Sequence, residues 1–340
     1  MSRHPGHLLA ATIAAGALFS GRWSPETPGP PATRSPVEIT EWDVPWPSSV
    51  PRDPFADGRG LVWFVGQAGN YVAYLDPVAG TFHRHEIDPG THPHNLLVDE
   101  RGVVWYTGNA NGTIDRLDPA TGVITRYPLA ADLRDPHTLA PDGRGNLWFT
   151  VQNGNAVGRL EVATGAIRIT RLPTPGSRPY GIAVDSRGRP WFDEFGGNRI
   201  GTIDPAGLTL REYSLPDRGS RPRRIAITSD DRIWVDDYAR GTLIRFDPAN
   251  QGFQEWSCPS GSGSLPYAMT RDDRDHLWVV ETGIQPNQLV GFDPALGRFF
   301  SRTPIAKSGG LTVRHMTFDA RSRSLWFGTD ANTIGRATLP

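Results

Sequence analysis

Tryptophan recurs along this chain at a nearly constant spacing. The seven positions are Trp63, Trp105, Trp148, Trp191, Trp234, Trp278 and Trp326. The sequence around each tryptophan repeats as well, and the repeated pattern is most complete at residues 178–205, RPYGIAVDSRGRPWFDEFGGNRIGTIDP. The separations of 42, 43, 43, 43, 44 and 48 residues are typical of repeat folds, in which each copy is one supersecondary unit packed on its neighbours. The chain therefore contains seven copies of one unit.

Each unit has the composition of short strands joined by tight turns. In the fourth unit the runs GIAVD, RPWFDE and RIGTIDP are followed by TLREYSL at residues 209–215, with turn residues between them. No helical period is found in these runs. Short antiparallel strands in units of this length are typical of β-propellers. The sequence predicts an all-β fold, a seven-bladed β-propeller with four-stranded antiparallel blades.

The two ends of the repeat region complement each other. The last unit ends with IGRATLP and has no fourth run, whereas VEITEWDVP at residues 37–45 has the composition of a fourth run with no unit before it. An unpaired edge strand is a liability for a sheet protein. We therefore expect the N-terminal strand to complete the last blade and close the ring, so that residues 37–340 form the propeller.

The first 36 residues differ from the repeats. Residues 1–21, MSRHPGHLLAATIAAGALFSG, predict a secretory signal peptide, because the apolar run from Leu8 to Phe19 has the length of its hydrophobic region and is too short to span a bilayer. Residues 22–36 are rich in proline and predict a linker. We expect an exported protein, periplasmic or extracellular. The single cysteine, Cys258, allows no internal disulfide.

Charge restricts the class of partner. The formal net charge is −1, and the sequence lacks the basic patch that nucleic-acid binding requires. It also lacks a basic amphipathic segment, so we expect neither nucleic-acid binding nor stable membrane insertion. The sequence favours a small-molecule ligand or substrate and a monomeric protein.

The repeated tryptophans are predicted to pack between neighbouring blades and not to stack on a ligand. Function is expected where the copies differ, because the repeat supplies the scaffold. Two columns differ. Eleven residues before each tryptophan stand Arg52, His94, His137, Tyr180, Arg223, Tyr267 and His315. Three residues after it stand Gly66, Gly108, Val151, Glu194, Asp237, Glu281 and Thr329.

A regular hairpin between the first two strands of a blade would bring these columns together. With the turn near Arg187, antiparallel pairing places Tyr180 opposite Glu194, at the end of the hairpin away from its turn. Repeated seven times, this arrangement forms one channel mouth. We expect Tyr180, Arg223, Tyr267 and His315 to bind substrate there.

The carboxylates of the second column come from three consecutive blades. Glu194, Asp237 and Glu281 would repel one another unless a cation or neighbouring arginines compensated their charge. They are the candidate ligands of a divalent metal, Mg²⁺ or alternatively Ca²⁺. The structural alternative is a hydrated rim in which acids and histidines hold no ligand.

Histidines of the first column are the candidate general bases. His94 and His137 occupy the same position in adjacent blades, so their rings are expected to lie close together, and Asp135 is near enough in sequence to orient His137. Mutual repulsion would keep at least one of the two neutral, as a base requires. His137, His94 and Asp135 are therefore the predicted catalytic residues.

The repeated text resembles that of the virginiamycin B lyase (streptogramin lyase) family over about residues 37–340, through the pattern PxGIAVDxxGxxWFxExxxNRIGxIDP. The resemblance implies the propeller fold and an enzyme that opens a cyclic depsipeptide at its ester by elimination, with Mg²⁺ and a histidine base. In such a reaction the base removes a proton α to a carbonyl and a cation stabilises the developing oxyanion.

The residues that the resemblance would make catalytic are matched only in part. Glu281 matches one family glutamate. Tyr267 stands at the position of the base histidine, Leu265 at that of a second glutamate, and Arg223 at that of a neighbouring histidine. The departure weakens the case for antibiotic cleavage.

A rotated version of the family site is present elsewhere on the ring. His94 and His137 form the histidine pair, with Asp135 two residues before His137, while Val151 replaces the remaining acid. We expect a lyase-like enzyme acting by metal-assisted elimination on a small or cyclic ester or lactone-type substrate. The alternatives are a non-catalytic ligand- or peptide-binding propeller and a gluconolactonase-like lactone hydrolase.

Overall fold

The computed structural model describes residues 37–308 and 311–340, with the side chain of Ser308 excepted. The predicted signal peptide, residues 1–21, and the predicted linker, residues 22–36, lie outside the described residues. Within the described part of the chain, no helix is long and apolar enough to cross a membrane.

The described chain contains 28 strands and two short 3-10 helices, Gly261–Gly263 and Ala306–Ser308. The first strands are β1 Glu38–Asp43, β2 Pro51–Ala56, β3 Val62–Gly66, β4 Tyr71–Asp76, β5 Thr81–Glu86, β6 Pro93–Val98, β7 Val104–Gly108, β8 Thr113–Leu117 and β9 Ile124–Pro128. Next come β10 Pro136–Pro141, β11 Asn146–Val151, β12 Ala156–Glu161, β13 Ile167–Arg171, β14 Pro179–Val184, β15 Pro190–Glu194, β16 Arg199–Asp204 and β17 Thr209–Ser214. The last are β18 Pro222–Ile227, β19 Ile233–Asp237, β20 Thr242–Asp247, β21 Gly252–Ser257, β22 Pro266–Arg271, β23 Leu277–Glu281, β24 Gln288–Asp293, β25 Arg298–Pro304, β26 Val313–Asp319, β27 Ser324–Thr329 and β28 Thr333–Thr338.

These strands form seven four-stranded antiparallel sheets, which are the seven predicted blades. Blade one is β2 to β5, and each later blade takes the next four strands, up to blade six, β22 to β25. Blade seven combines β26, β27 and β28 with β1 in the order β1-β28-β27-β26. Both the seven-bladed fold and its closure by the N-terminal strand are confirmed.

The closing strand is held by backbone pairing and by aromatic packing. β1 runs antiparallel to β28, from Glu38 opposite Thr338 to Asp43 opposite Thr333. Trp42 of β1 stacks on Trp326 of β27 with ring centroids 5.7 Å apart. The first and last segments of the propeller therefore form one sheet.

In units one to four, a repeated Asp, Gly and Trp lie in the hairpin between the first two strands. In blade four, Asp185 Oδ1 accepts the backbone N–H groups of Arg187 and Arg189, and Asp185 Oδ2 accepts the indole N–H of Trp191 at 3.0 Å. Gly188 has φ +81°, a left-handed conformation that glycine adopts without steric cost. The motif is therefore explained by turn geometry.

The tryptophan column packs blade on blade, as predicted. Trp191 of blade four lies in one buried cluster with Ile225 and Val235 of blade five. All seven tryptophans are buried. Because they fill the wedges between sheets, they are unavailable to stack on a ligand.

Candidate functional site

The innermost strand of each blade begins with an irregular pairing that changes the expected geometry. In blade four, Pro179 lies opposite Glu194 and Ile182 opposite Phe192, so three steps of β14 span two steps of β15. The predicted pairing of Tyr180 with Glu194 is therefore wrong, because a β-bulge adds a residue there. All seven first hairpins carry a register shift at this end. The bulge separates the two variable columns.

The first column converges at the channel and forms what we call the inner ring. Its members are Arg52, His94, His137, Tyr180, Arg223, Tyr267 and His315. The rings of His94 and His137 lie 3.8 Å apart, as expected, and those of His137 and Tyr180 lie 3.9 Å apart. The hydroxyls of Tyr180 and Tyr267 hydrogen-bond to each other. These residues come one from each of the seven blades, and the bond between blades four and six shows that the channel is narrow enough for side chains to meet across it.

An arginine of the inner ring lies among aromatic rings. The guanidinium carbon of Arg223 is 3.7 Å from the ring centroid of Tyr267, 4.4 Å from that of Tyr238 and 4.9 Å from that of Phe195. Phe195 and Tyr238 belong to the loops after β15 and β19 and are partly exposed. The arrangement combines a positive charge with an aromatic wall at the mouth.

Arg224, the residue after Arg223, also enters the channel. It is buried, donates to Thr138 Oγ1 at 3.3 Å and donates to the backbone carbonyl of Arg314 at 3.0 Å. Its guanidinium carbon lies 5.0 Å from the ring of Tyr180. Arg224 therefore links blades three, five and seven across the channel. We did not predict this role from the sequence, since only one residue of each bulge belongs to the repeated column.

The histidines of the inner ring are held neutral by their surroundings. Burial, then the positive charge of nearby side chains, lowers the pKa of His94 and of His137 well below the usual histidine value. The pKa of His315 is lowered to about 4 by burial, partly opposed by Asp53. Arg52 Nη1 lies 2.5 Å from His94 Nε2, and a guanidinium can only donate. His94 Nε2 is therefore the acceptor of this hydrogen bond.

The three histidines differ in their accessibility. His137 is only 2% exposed, and its Nδ1 pairs with Thr138 Oγ1 at 2.9 Å. The side chain of His315 is 16% exposed, with its Nδ1 3.9 Å from Asp53 Oδ1. His315 is therefore more accessible to solvent than His137.

Asp135 has partners other than the one expected from sequence. Its carboxylate accepts a hydrogen bond from the side-chain amide of Asn109. Burial raises the pKa of Asp135 to about 6, although the bond from Asn109 opposes this shift. The described hydrogen bonds of Asp135 and of His137 thus lead to different residues, and the structure does not bring the two side chains together.

The second column turns away from the channel into its own blades. Glu281 accepts the backbone N–H of Ser260 at 2.8 Å and its hydroxyl at 2.6 Å. Asp237 Oδ1 accepts the backbone N–H of Arg221 at 2.9 Å. Both contacts hold the loop that leads into the first strand of the same blade. Burial raises the pKa of Glu194 to about 8, and the nearby Glu212 adds to this effect.

These carboxylates, as placed, do not fit the metal site expected from sequence. Among residues 37–308 and 311–340, no group of three or more His, Cys, Asp or Glu side chains is arranged to hold a metal ion. Mg²⁺ and Ca²⁺ need several oxygen ligands around one point. The structure therefore does not bring Glu194, Asp237 and Glu281 together, and neither ion enters the mechanism considered below.

A third column, two residues after the tryptophan, was missed from the sequence. Thr107 accepts the backbone N–H of Asn95 at 3.1 Å, and its hydroxyl donates to the carbonyl of His137 in the next blade. Thr150 repeats this arrangement, accepting from Thr138 and donating to the carbonyl of Tyr180. The threonines therefore join the bulge of one blade to the inner ring residue of the next.

Aspartates occupy the same position in blades four and five. Asp193 accepts the backbone N–H of Gly181 at 3.0 Å, and Asp236 that of Arg224 at 2.7 Å. Burial, then the charge of Asp236, raises the pKa of Asp193 well above the usual value, and burial does the same for Asp236. A neutral carboxylic acid can donate as threonine does, whereas a carboxylate cannot. The available sequence signal was a polar Thr or Asp at this position in four consecutive units.

Comparison with known proteins identifies relatives of the whole propeller. The profile of the Virginiamycin B lyase family matches residues 33–290. A solved streptogramin B lyase shares 27% identity with a TM-score of 0.80, covering 89% of this chain and 98% of that one. Virginiamycin B lyase from Staphylococcus aureus shares 26% identity with a TM-score of 0.79, covering 89% of this chain and 100% of that one. Comparison of the sequence with curated proteins gave no match.

Two further structures bear on function and fold. A catalytically inactive histidine-to-alanine variant of the S. aureus enzyme, with quinupristin, shares 26% identity with a TM-score of 0.80 over 89% of this chain and all of that one. An extracellular domain from B. thetaiotaomicron shares 17% identity and a TM-score of 0.65, over 90% of this chain and 43% of that one, and shows the fold alone. The family profile spans more than half of the sequence and six of the seven inner ring residues. The chain belongs to the virginiamycin B lyase family.

Proposed function

We propose that the protein is a lyase that opens a small or cyclic ester or lactone-type substrate by elimination at the channel mouth. The observation that supports this proposal is the inner ring, where neutral histidines lie beside arginines. Elimination needs a base for a proton α to a carbonyl and positive charge for the oxyanion that develops. Both kinds of group are present within one contiguous set of side chains.

The base in this proposal is a neutral histidine of the inner ring. It takes the α-proton, the electron pair of the broken C–H bond forms a carbon–carbon double bond, and the ester C–O bond breaks to release a carboxylate. His137, with His94 beside it, is the candidate from the sequence, and His315 is the more exposed alternative. Their lowered pKa values keep them in the proton-accepting form at neutral pH.

Arginines would stabilise the negative charge in place of the expected cation. Arg52, Arg223 and Arg224 each direct a guanidinium group toward the inner ring, and such groups hydrogen-bond to carbonyl oxygens and to carboxylates. Asp135 accepts a hydrogen bond from Asn109, so in this proposal it holds the loop and does not orient the base. We further propose that residues 1–21 direct export and that the substrate is met outside the cytoplasm.

The test is a screen of cyclic depsipeptides, lactones and sugar-acid esters by mass spectrometry. Elimination of a cyclic ester gives an open product of unchanged mass, whereas hydrolysis adds one water. His137→Gln and His315→Gln should then identify the base, with the exposed His83→Gln as the matched control. An opened product that has gained water would support a lactone hydrolase instead. Ligand binding without turnover in both wild type and variants would leave a binding propeller.

A further inference from the structure

Three arginines at the channel have no acidic partner. Arg52 bonds to His94, Arg224 bonds to Thr138 and to a backbone carbonyl, and Arg223 lies among aromatic rings. Within the described residues, none of the three forms an ion pair with a carboxylate, whereas the neighbouring Arg314 pairs with Asp330 at 2.6 Å. We call Arg52, Arg223 and Arg224 the arginine cluster. Because burying a cation without a counter-ion costs free energy, we expect the arginine cluster to bind an anion.

Within the described residues, the buried acids near the cluster, Asp193 and Asp236, form no ion pair with its guanidinium groups. Asp193 and Asp236 are fully buried, and each accepts a backbone N–H at the bulge. They occupy the position at which Thr107 and Thr150 donate to the next blade. In the neutral form that their burial favours, they carry no charge.

Asp53, an acid beside the inner ring, is already engaged. Asp53 accepts from the side chain of Asn95 at 2.8 Å and lies near His315. With Arg314 paired to Asp330, the histidines neutral and burial favouring the neutral form of Asp193 and Asp236, the three arginines outnumber Asp53. The mouth therefore presents a net positive potential to an incoming ligand.

Polar atoms of the inner ring also lack partners. Arg52 Nε and His94 Nδ1 are buried without a hydrogen-bond partner, as are Arg223 Nε and His315 Nδ1. Native structures rarely leave such atoms unsatisfied without a functional reason. Arg52 is 8% exposed and His94 is 4% exposed, so solvent reaches these side chains only to a small extent.

We propose that the channel mouth binds a small organic carboxylate, held by Arg223 and the other members of the arginine cluster. This inference deepens the proposed function and rests on it for the location of the site. The planar guanidinium fork matches the two oxygens of a carboxylate. Phe195 and Tyr238, partly exposed beside Arg223, provide an apolar surface for the body of the ligand. The substrate class is thus an ester or lactone that also carries a free carboxylate.

The experiment measures binding with acids and their uncharged amides. Benzoate with benzamide, and glucuronate with glucuronamide, would be titrated into the full chain by calorimetry in buffer containing physiological salt. We expect saturable binding of at least one acid and at least about tenfold weaker binding of its amide, since a charge-assisted bond is lost. Inorganic phosphate is titrated in parallel to distinguish a carboxylate site from a general anion site.

Variants locate the binding at the cluster. Arg223→Gln should weaken binding of the acid about tenfold or more, and Arg223→Lys should recover part of it because the charge returns without the fork. The exposed Arg211→Gln, on an outer strand, is the matched control and should bind as the wild type does. Melting curves without ligand would show that each variant folds.

Several results would overturn the proposal. They are equal binding of acids and amides, tighter binding of phosphate than of either acid, no binding of any acid, or wild-type binding in Arg223→Gln. Acid-selective binding without any lyase turnover would instead remove the proposed reaction and keep the carboxylate site. The two proposals therefore fail separately.

Discussion

Tyr180 and Tyr267 hydrogen-bond to each other through their hydroxyl groups, although they belong to blades four and six. Arg223, from the blade between them, lies over both rings, 5.3 Å and 3.7 Å from their centroids. A tyrosine pair beside a guanidinium can share a proton unequally. One hydroxyl then ionises more readily and the other less readily than an isolated tyrosine.

The first prediction concerns this pair. Burial alone would raise the pKa of Tyr267, but the charges of Arg223 and Arg224 outweigh it and lower the pKa, whereas burial raises that of Tyr180. In an ultraviolet titration of the folded protein, we expect one of the eight tyrosines to ionise before the others. Tyr267→Phe should remove this early step, and Tyr213→Phe should leave it in place. An unchanged titration in Tyr267→Phe would refute the assignment.

The second prediction concerns stability at acid pH. Because the pKa of His315 is lowered to about 4 in the folded protein, the unfolded chain binds its proton first as the pH falls. This contribution to stability is full above the unfolded value near 6.5 and is lost between that value and about pH 4. Between pH 7.5 and 5, His315→Gln should reduce the loss of unfolding free energy by roughly 2 kcal/mol or less.

The control for this effect is His83→Gln, since His83 is exposed on an outer strand. Urea unfolding of wild type and both variants at the two pH values provides the measurement. Identical pH dependence in all three proteins would contradict the burial argument. The same shift predicts that any histidine-dependent activity extends to lower pH than an unperturbed histidine would allow.

The third prediction concerns the aspartate that replaces threonine. Asp193→Thr should fold with little loss of stability, because Thr150 accepts the equivalent backbone N–H in the preceding blade, while Asp193→Val should lose about 1–3 kcal/mol. The raised pKa of Asp193 means that its stabilising contribution is present below pH ~4 and is lost as the pH rises through the folded value. When the pH is raised from 6 to 9, the unfolding free energy of Asp193→Thr should therefore decrease by less than that of the wild type. Melting curves at both pH values test this.

The fourth prediction concerns the second column. Glu281 holds the backbone and hydroxyl of Ser260, so Glu281→Ala should lower the unfolding free energy by about 1–3 kcal/mol with or without divalent metal. The melting temperature of the wild type should be the same in Mg²⁺, in Ca²⁺ and in a chelator. A rise with metal that Glu281→Ala abolishes would restore the cation site and refute our interpretation.

The fifth prediction concerns closure of the ring. Deleting residues 1–34 should leave the melting temperature unchanged, whereas deleting residues 1–46 removes β1 and the stacking of Trp42 on Trp326. The longer deletion exposes the edge of β28 and should destabilise the whole propeller. Equal melting temperatures for the two truncated proteins would show that β1 is dispensable.

The fold could be predicted from sequence because its signals are repeated seven times. One tryptophan recurs in every unit and a turn aspartate, such as Asp185, recurs in most units, and the mismatch between the two ends of the repeat region predicted the closure. The inner ring was likewise predicted as a set of residues. Its members vary, whereas the residue before them is a proline in six of the seven units.

The site could be predicted only in part. A β-bulge changes the direction of the side chains that follow it, and the alternation of residue types in the sequence does not reveal the bulge. An added residue in β14 moves Tyr180 out of line with Glu194, so the two columns lie on different sides. Contacts across the channel, such as that of Arg224 with Thr138, join residues 86 positions apart. Such contacts depend on the radius of the ring, which no single repeat encodes.

The pairing of β1 with β28 also constrains the order in which the protein can form. The strand that leaves the ribosome first finds its partner only when the last residues have been made, since Glu38 lies opposite Thr338. Blades one to six each consist of consecutive strands and can assemble from local contacts as the chain emerges. Blade seven must pair strands from the two ends of the propeller, and such long-range contacts form slowly. If the chain is exported, ring closure would therefore be the late step, and β1 would stay unpaired throughout transit.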